Sequence, residues 1–80
     1  MKYIVVSVSK RKIEKEGEAN SLAEATAIMK ADFMKFFLDY YSEADFDNNV
    51  ERGSIWDFCD TECWISILPD CDWKVIEVNE

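Results

Sequence analysis

Ser21-Leu22-Ala23-Glu24 has the form of a capping box, in which a serine hydroxyl accepts the amide three residues on while the glutamate reaches back to the cap amide. A Pro-free, Ala-rich run follows. The pattern predicts one amphipathic helix over 21–43, about 33 Å long at 1.5 Å per residue. Leu22, Ala25, Met29, Phe33, Phe36 and Tyr40 fall in a sector about 80° wide, the face expected to lie on a sheet. Met34, Phe37, Leu38 and Tyr41 form a second apolar face around the C-terminal turns, roughly 60–160° away. That face needs a cover: either Phe46, Ile55, Trp56 and Phe58 fold back over it, or it is a self-association surface, since large exposed apolar patches are uncommon on monomers.

The flanking segments alternate with period two. Residues 2–9 place Ile4, Val6 and Val8 on one face and Tyr3, Val5 and Ser7 on the other, which is only half polar. Residues 12–19 alternate more weakly, as suits an edge strand blunted by charge and Gly17, with Lys10-Arg11 as the turn between the two. Residues 62–68 and 72–78 read as a second strand pair across the turn Pro69-Asp70-Cys71-Asp72, while 45–53 reads as a polar, acidic connection. The expected fold class is α+β: a single domain over 1–80, ββαββ, with a small antiparallel sheet of two hairpins packed against one long helix.

Chains of 80 residues bury only roughly 60% of their unfolded surface, so large side chains must fill the core. Eleven aromatics supply part of that filling, and nearly half the residues are apolar, which argues against disorder. The N-terminal apolar run is too short for a signal peptide or a membrane span and is stopped by Lys10-Arg11-Lys12, so the protein is expected to be cytoplasmic. Cys59, Cys63 and Cys71 are odd in number, and reduced thiols are expected rather than a disulfide framework.

Charge is steeply graded. The first fifteen residues carry five cations against Glu14 alone, whereas Asp39 to Glu80 holds twelve of the seventeen carboxylates, opposed only by Arg52 and Lys74. Such a field steers partners and maintains solubility; it carries no information about fold.

Lys2-Tyr3-Ile4-Val5-Val6, Ser21-Leu22-Ala23-Glu24-Ala25 and Asp72-Trp73-Lys74-Val75-Ile76-Glu77-Val78 together resemble short uncharacterised proteins of Firmicutes and their phages. Those proteins look like strand pairs around one helix and often close on an Asp-Trp-Lys-aliphatic strand. The resemblance covers the two ends and the helix start, not Phe33 to Asp70. It implies a fold and a mobile-element origin, and it transfers no functional residue. Ala19-Asn20 stands where such sequences often have a bulky residue, so a hydrophobic staple is missing.

Three constellations could carry chemistry. Cys59, Cys63 and Cys71, with Asp60, Asp70 or Asp72, offer zinc ligands, but the chain has no histidine and lacks paired short spacings, so core or turn cysteines are the better reading. Asp45, Asp47, Asn49 and Glu51 begin like a calcium loop, which then fails at Val50, where Gly is needed, and at Trp56, where a bidentate Glu is needed. Without histidine, a phosphate-binding glycine loop or a nucleophile elbow, an enzyme is not expected, and neither a cofactor nor a metal is assigned. The cations Lys2, Lys10, Arg11, Lys12 and Lys15 lack interleaved aromatics apart from Tyr3, and direct nucleic-acid binding is not expected either.

The expected function is therefore that of a non-catalytic acidic protein-binding module. Asp39, Glu43, Asp45, Asp47, Glu51, Asp57, Asp60, Asp70 and Asp72 would present a nucleic-acid-like surface to a protein with a basic groove. A phage-type inhibitor, such as an anti-CRISPR or similar anti-defence protein, would act this way. The alternative is a homo-oligomeric structural domain, such as a homodimer, using Met34, Phe37, Leu38 and Tyr41. No membrane partner is expected.

Overall fold

The computed structural model describes residues 2–9, 12–67 and 70–79. The chain is α+β, with a five-stranded antiparallel sheet carrying its helices on one face. The elements are β1 (Lys2–Ser9), β2 (Lys12–Ala19), α1 (Leu22–Phe37), α2 (Glu43–Asp47), β3 (Trp56–Phe58), β4 (Glu62–Ile65) and β5 (Cys71–Val78). The strand order is β2-β1-β5-β4-β3. β5 thus inserts between the two hairpins, pairing with β1 from Lys2↔Val78 to Ser9↔Cys71 and with β4 from Glu62↔Lys74 to Ile65↔Cys71.

The first strand pair has the bounds expected from its alternation; its turn at Lys10-Arg11 lies outside the described residues, as does the expected turn residue Pro69. The register shifts where Val5 faces Gly17 but Val6 faces Lys15, leaving Glu16 as a bulge that bends the edge strand. Gly17 lies under α1, where a Cβ would come within 3.2 Å of Ile28 Cγ2. Gly17 and the buried Ala19 together let the helix approach β2 closely.

Three expectations are corrected here. Instead of one long helix over 21–43, α1 stops at Phe37, closed by amides of Asp39, Tyr40 and Tyr41 bonding back to Phe36 and Phe37 carbonyls. Ser42 then adopts an extended backbone (φ −105°, ψ 168°) and caps α2. Its Oγ accepts the Asp45 amide at 3.2 Å, while the Asp45 carboxylate accepts the Ser42 amide at 2.9 Å. A capping residue cannot continue the preceding helix, because its dihedrals are non-helical. Second, the expected strand 62–68 ends at Ile65, and the stretch between the expected linker 45–53 and that strand, where no element is expected, contributes a further strand, β3, paired with β4 from Trp56↔Ile65 to Phe58↔Cys63. The strand expected over 72–78 begins one residue earlier, at Cys71.

The core lies between α1, α2 and one face of the sheet. Ala25, Met29, Phe33 and Phe37 are fully buried along α1, so Phe37 takes the place expected of Tyr40, which is 59% exposed just beyond the helix. Phe33 sits at the centre of an aromatic cluster, with ring centroids 5.4–6.2 Å from Phe37, Phe46, Trp56, Phe58 and Trp73. α2 folds back so that Phe46 stacks on Trp56 at 5.2 Å. This is the intramolecular cover anticipated for the second helix face.

Candidate functional site

The nine carboxylates expected to form one acidic surface separate into three groups. Asp39 lies in the turn after α1; Glu43, Asp45 and Asp47 belong to α2; and Glu51 follows in the linker, so these five gather on a single knuckle. Asp57 and Asp72 flank Trp64 in one cross-strand row on the opposite side of the sheet, since their neighbours Trp56 and Trp73 point into the core. Asp60 and Asp70 occupy loops at opposite ends of β4, and the Asp60 carbonyl accepts the Thr26 hydroxyl at 2.7 Å. One continuous face is therefore corrected to an acidic knuckle plus outlying acids.

The knuckle is held by its own side chains. Asn49 (φ 56°), Glu51 (φ 60°) and Gly53 (φ 89°) all take left-handed backbone, which turns the linker sharply three times. The Glu51 carboxylate accepts the Tyr41 hydroxyl. That bond, with partial burial and the negative charges of Glu51 and Asp45, pushes Tyr41 up to about 12. Arg52 donates to Asp57 at 2.7 Å, to Asn49 Oδ1 at 2.8 Å and to the Phe58 carbonyl at 2.7 Å, and the Trp56 indole donates to the Val50 carbonyl at 2.7 Å. Arg52 in turn holds the Asp57 carboxyl below the usual range, helped by the Phe58 amide. The oxygens of Asp45, Asn49 and Glu51, which began the calcium-like pattern, are thus turned to protein donors.

A shallow groove of about 290 Å³ runs between α1 and α2, lined by Lys30, Met34, Leu38, Glu43, Phe46 and Asp47. Lys30 Nζ lies over the Phe46 ring, 4.9 Å from its centroid. Of the apolar face proposed for self-association, Leu38 is 45% exposed and Met34 and Tyr41 are half-buried, but Phe37 is fully buried. Phe37 is accordingly withdrawn from any interface, because Tyr41, Phe46 and Trp56 pack on it at 4.9–5.6 Å.

A larger groove of about 500 Å³ opens beside α1 at the end of the sheet, lined in part by Ser7, Lys12, Glu14, Glu16, Asp32 and Cys71. Its polar groups pair among themselves: Ser7 Oγ donates to Glu16 at 2.7 Å, Lys12 meets Glu14 at 2.6 Å, and the Trp73 indole donates to Asp32 at 2.6 Å. The last of these bonds was not anticipated. Its sequence signal is an aspartate within about 20° of Ala25 on the helical wheel, next to the core stripe.

Cys63 and Cys71 are buried on the helix side of the sheet, and Cys59 is exposed. Burial pushes both buried thiols up, Cys71 to about 11. Among the described residues, no group of three or more Cys, Asp or Glu side chains is arranged to hold a metal ion. Since only a thiolate attacks a disulfide reagent, native protein should release one equivalent of chromophore rapidly from Ellman's reagent, through Cys59, and three equivalents after denaturation. Rapid reaction of more than one thiol in the native protein would contradict the placement of Cys63 and Cys71.

Among the described residues, no helix is long and apolar enough to cross a membrane. Comparison with known proteins finds no matching family model, no similar curated protein and no similar solved structure.

Proposed function

We propose that this protein is a non-catalytic binding module that offers the knuckle of Asp39, Glu43, Asp45, Asp47 and Glu51 to a partner protein with a Lys/Arg-lined groove. A phage-type inhibitor of a host nuclease or defence complex, an anti-CRISPR protein for example, would use such a surface. The supporting observation is that five carboxylates lie along one segment, from the turn after α1 to the linker, that is held by the Ser42–Asp45 and Tyr41–Glu51 bonds, while the nearby cations are engaged, Lys30 over Phe46 and Arg52 with Asp57 and Asn49. A backbone held in place loses little entropy on docking, and the carboxylates it carries gain from counterions released by the basic partner.

The test is affinity capture from host lysate at low salt and at about 1 M salt, where the Debye length falls to about 3 Å. Asp45 and Asp57 are poor choices for charge reversal, because one caps α2 and the other holds Arg52. Asp39→Lys combined with Asp47→Lys leaves those contacts intact. A partner retained at low salt should be lost at high salt, lost with the double variant and displaced by heparin. Capture that survives all three treatments would refute charge mimicry.

A further inference from the structure

The face of the sheet turned away from the helices is more apolar than a solvated face should be. In β1, which has a strand on either side, the half-polar set Tyr3, Val5 and Ser7 lies under α1, while Ile4, Val6 and Val8 point outward. An antiparallel sheet with one wet side ordinarily alternates in the opposite sense, apolar inward and polar outward. Register extends this stripe: Ile13 faces Val8, Ile76 faces Ile4 and Val78 faces Lys2, with Trp64 beyond Asp72. Ile13 is 73%, Ile76 44% and Val8 38% exposed. Among the described residues, no helix lies on this side.

Charge on this face is balanced, unlike the rest of the molecule. Among the described residues it carries the carboxylates of Glu18, Asp57, Glu62 and Asp72 against Lys2, Lys15, Lys74 and Arg52. Lys2 and Lys15 both meet Glu18, Lys74 meets Glu62 at 3.9 Å and Arg52 meets Asp57 at 2.7 Å. The whole net charge of −8 therefore belongs to the remainder of the chain. A surface shaped for a basic partner would carry excess acid; a surface that must approach another copy of a −8 molecule has to be neutral.

We infer that this open sheet face is the interface of a symmetric homodimer, two copies packing face to face with the β1 stripes of Ile4, Val6 and Val8 at the centre. Edge-to-edge association is opposed at both margins. β2 is charged and bulged, and β3 has only three residues, two recognised ways of blunting a sheet edge. The area suffices. Three strands of eight residues and two of four and three, at about 3.3 Å by 4.8 Å per residue, project roughly 490 Å², and the relief of the side chains raises this toward the ~600 Å² per partner at the lower bound of specific interfaces. The molecule is only 18 Å thick, and stacking the sheets about 10 Å apart would give the small fold a second core. The acidic knuckles would then point outward, so the dimer stands or falls independently of the function proposed above.

Sedimentation equilibrium of the full chain should give twice the 9.3 kDa of one chain. Val8→Lys with Ile76→Lys should raise the dissociation constant at least about 100-fold, since a symmetric interface contains each change twice. Far-UV circular dichroism should stay unchanged, because both side chains are exposed in the monomer. Leu38→Lys, on the helix side, should leave the dimer intact. Should the double variant fail to fold, isotope-filtered NOEs on a mixed-label wild-type sample decide, and they are expected between Ile4, Val6, Val8 and Ile76 methyls of different copies. A wild-type monomer at high micromolar concentration, or a dimer abolished by Leu38→Lys, overturns the inference.

Discussion

Phe33→Ala is expected to destabilise the domain by about 3–5 kcal/mol, the range for truncating a buried phenylalanine. Domains of this length have total stabilities of about 4–12 kcal/mol, so the variant should be largely unfolded or shifted far down in urea. The effect is large because Phe33 is fully buried and touches five other rings, joining α1 to α2 through Phe46 and to the sheet through Trp56, Phe58 and Trp73. No neighbour can collapse into the space without leaving another ring. Equilibrium urea unfolding followed by tryptophan fluorescence measures the change, with Leu38→Ala as a comparison expected to lie within about 1 kcal/mol of wild type, since Leu38 is 45% exposed. A loss below about 1.5 kcal/mol for Phe33→Ala would show that the aromatic cluster is not the centre of the core.

Asp32→Ala is expected to cost about 1.5–3 kcal/mol, the range for a hydrogen bond to a charged group. Trp73 is 1% exposed, and its indole N–H donates to Asp32 at 2.6 Å; without the carboxylate the donor is left in the core beside Phe33 and Phe36. Asp32→Asn keeps an acceptor oxygen and should restore more than half of the loss. Lys35 contributes little, because it lies 3.9 Å from Asp32 with a side chain 77% exposed. Urea unfolding gives the energies, and the indole N–H resonance of Trp73 reports the bond itself. An unchanged resonance in Asp32→Ala would show that the bond is absent in solution.

Local chemistry along the chain carries much of this fold. The alternation in 2–9 and 12–19 yields strands with those bounds, and Ser21 caps α1 through the Glu24 amide at 3.2 Å. The helix break was also written in the sequence: Ser42-Glu43-Ala44-Asp45 has the spacing of a capping box, with aspartate in place of the usual glutamate. It was hidden by the apolar periodicity, which runs through Tyr40 and Tyr41 as though the helix continued. β3 was illegible for a different reason. Three residues are too few to show alternation, and Trp56-Asp57-Phe58 becomes a strand only because β4 supplies its hydrogen-bonding partner.

The acidic site was half legible. Composition predicted an acid-rich second half but not its division, because Asp57 and Asp72 are carried to the far side by strand register whereas Asp39 to Glu51 follow the turn into α2. Asp45 and Glu51 also have structural duties, holding Ser42 and Tyr41, that charge counting does not reveal.

What the order of residues determined by itself is the α+β class, the first strand pair and the point where α1 begins, since each rests on contacts among near neighbours. Which face of β1 is buried was decided only in three dimensions. Both faces of that strand are apolar enough to pack, so its own pattern is indifferent. The choice fell to the partners that share a side with Val5 and Ser7: Gly17 and Ala19, small enough to admit α1, and Trp73, which needs Asp32 to satisfy its buried indole.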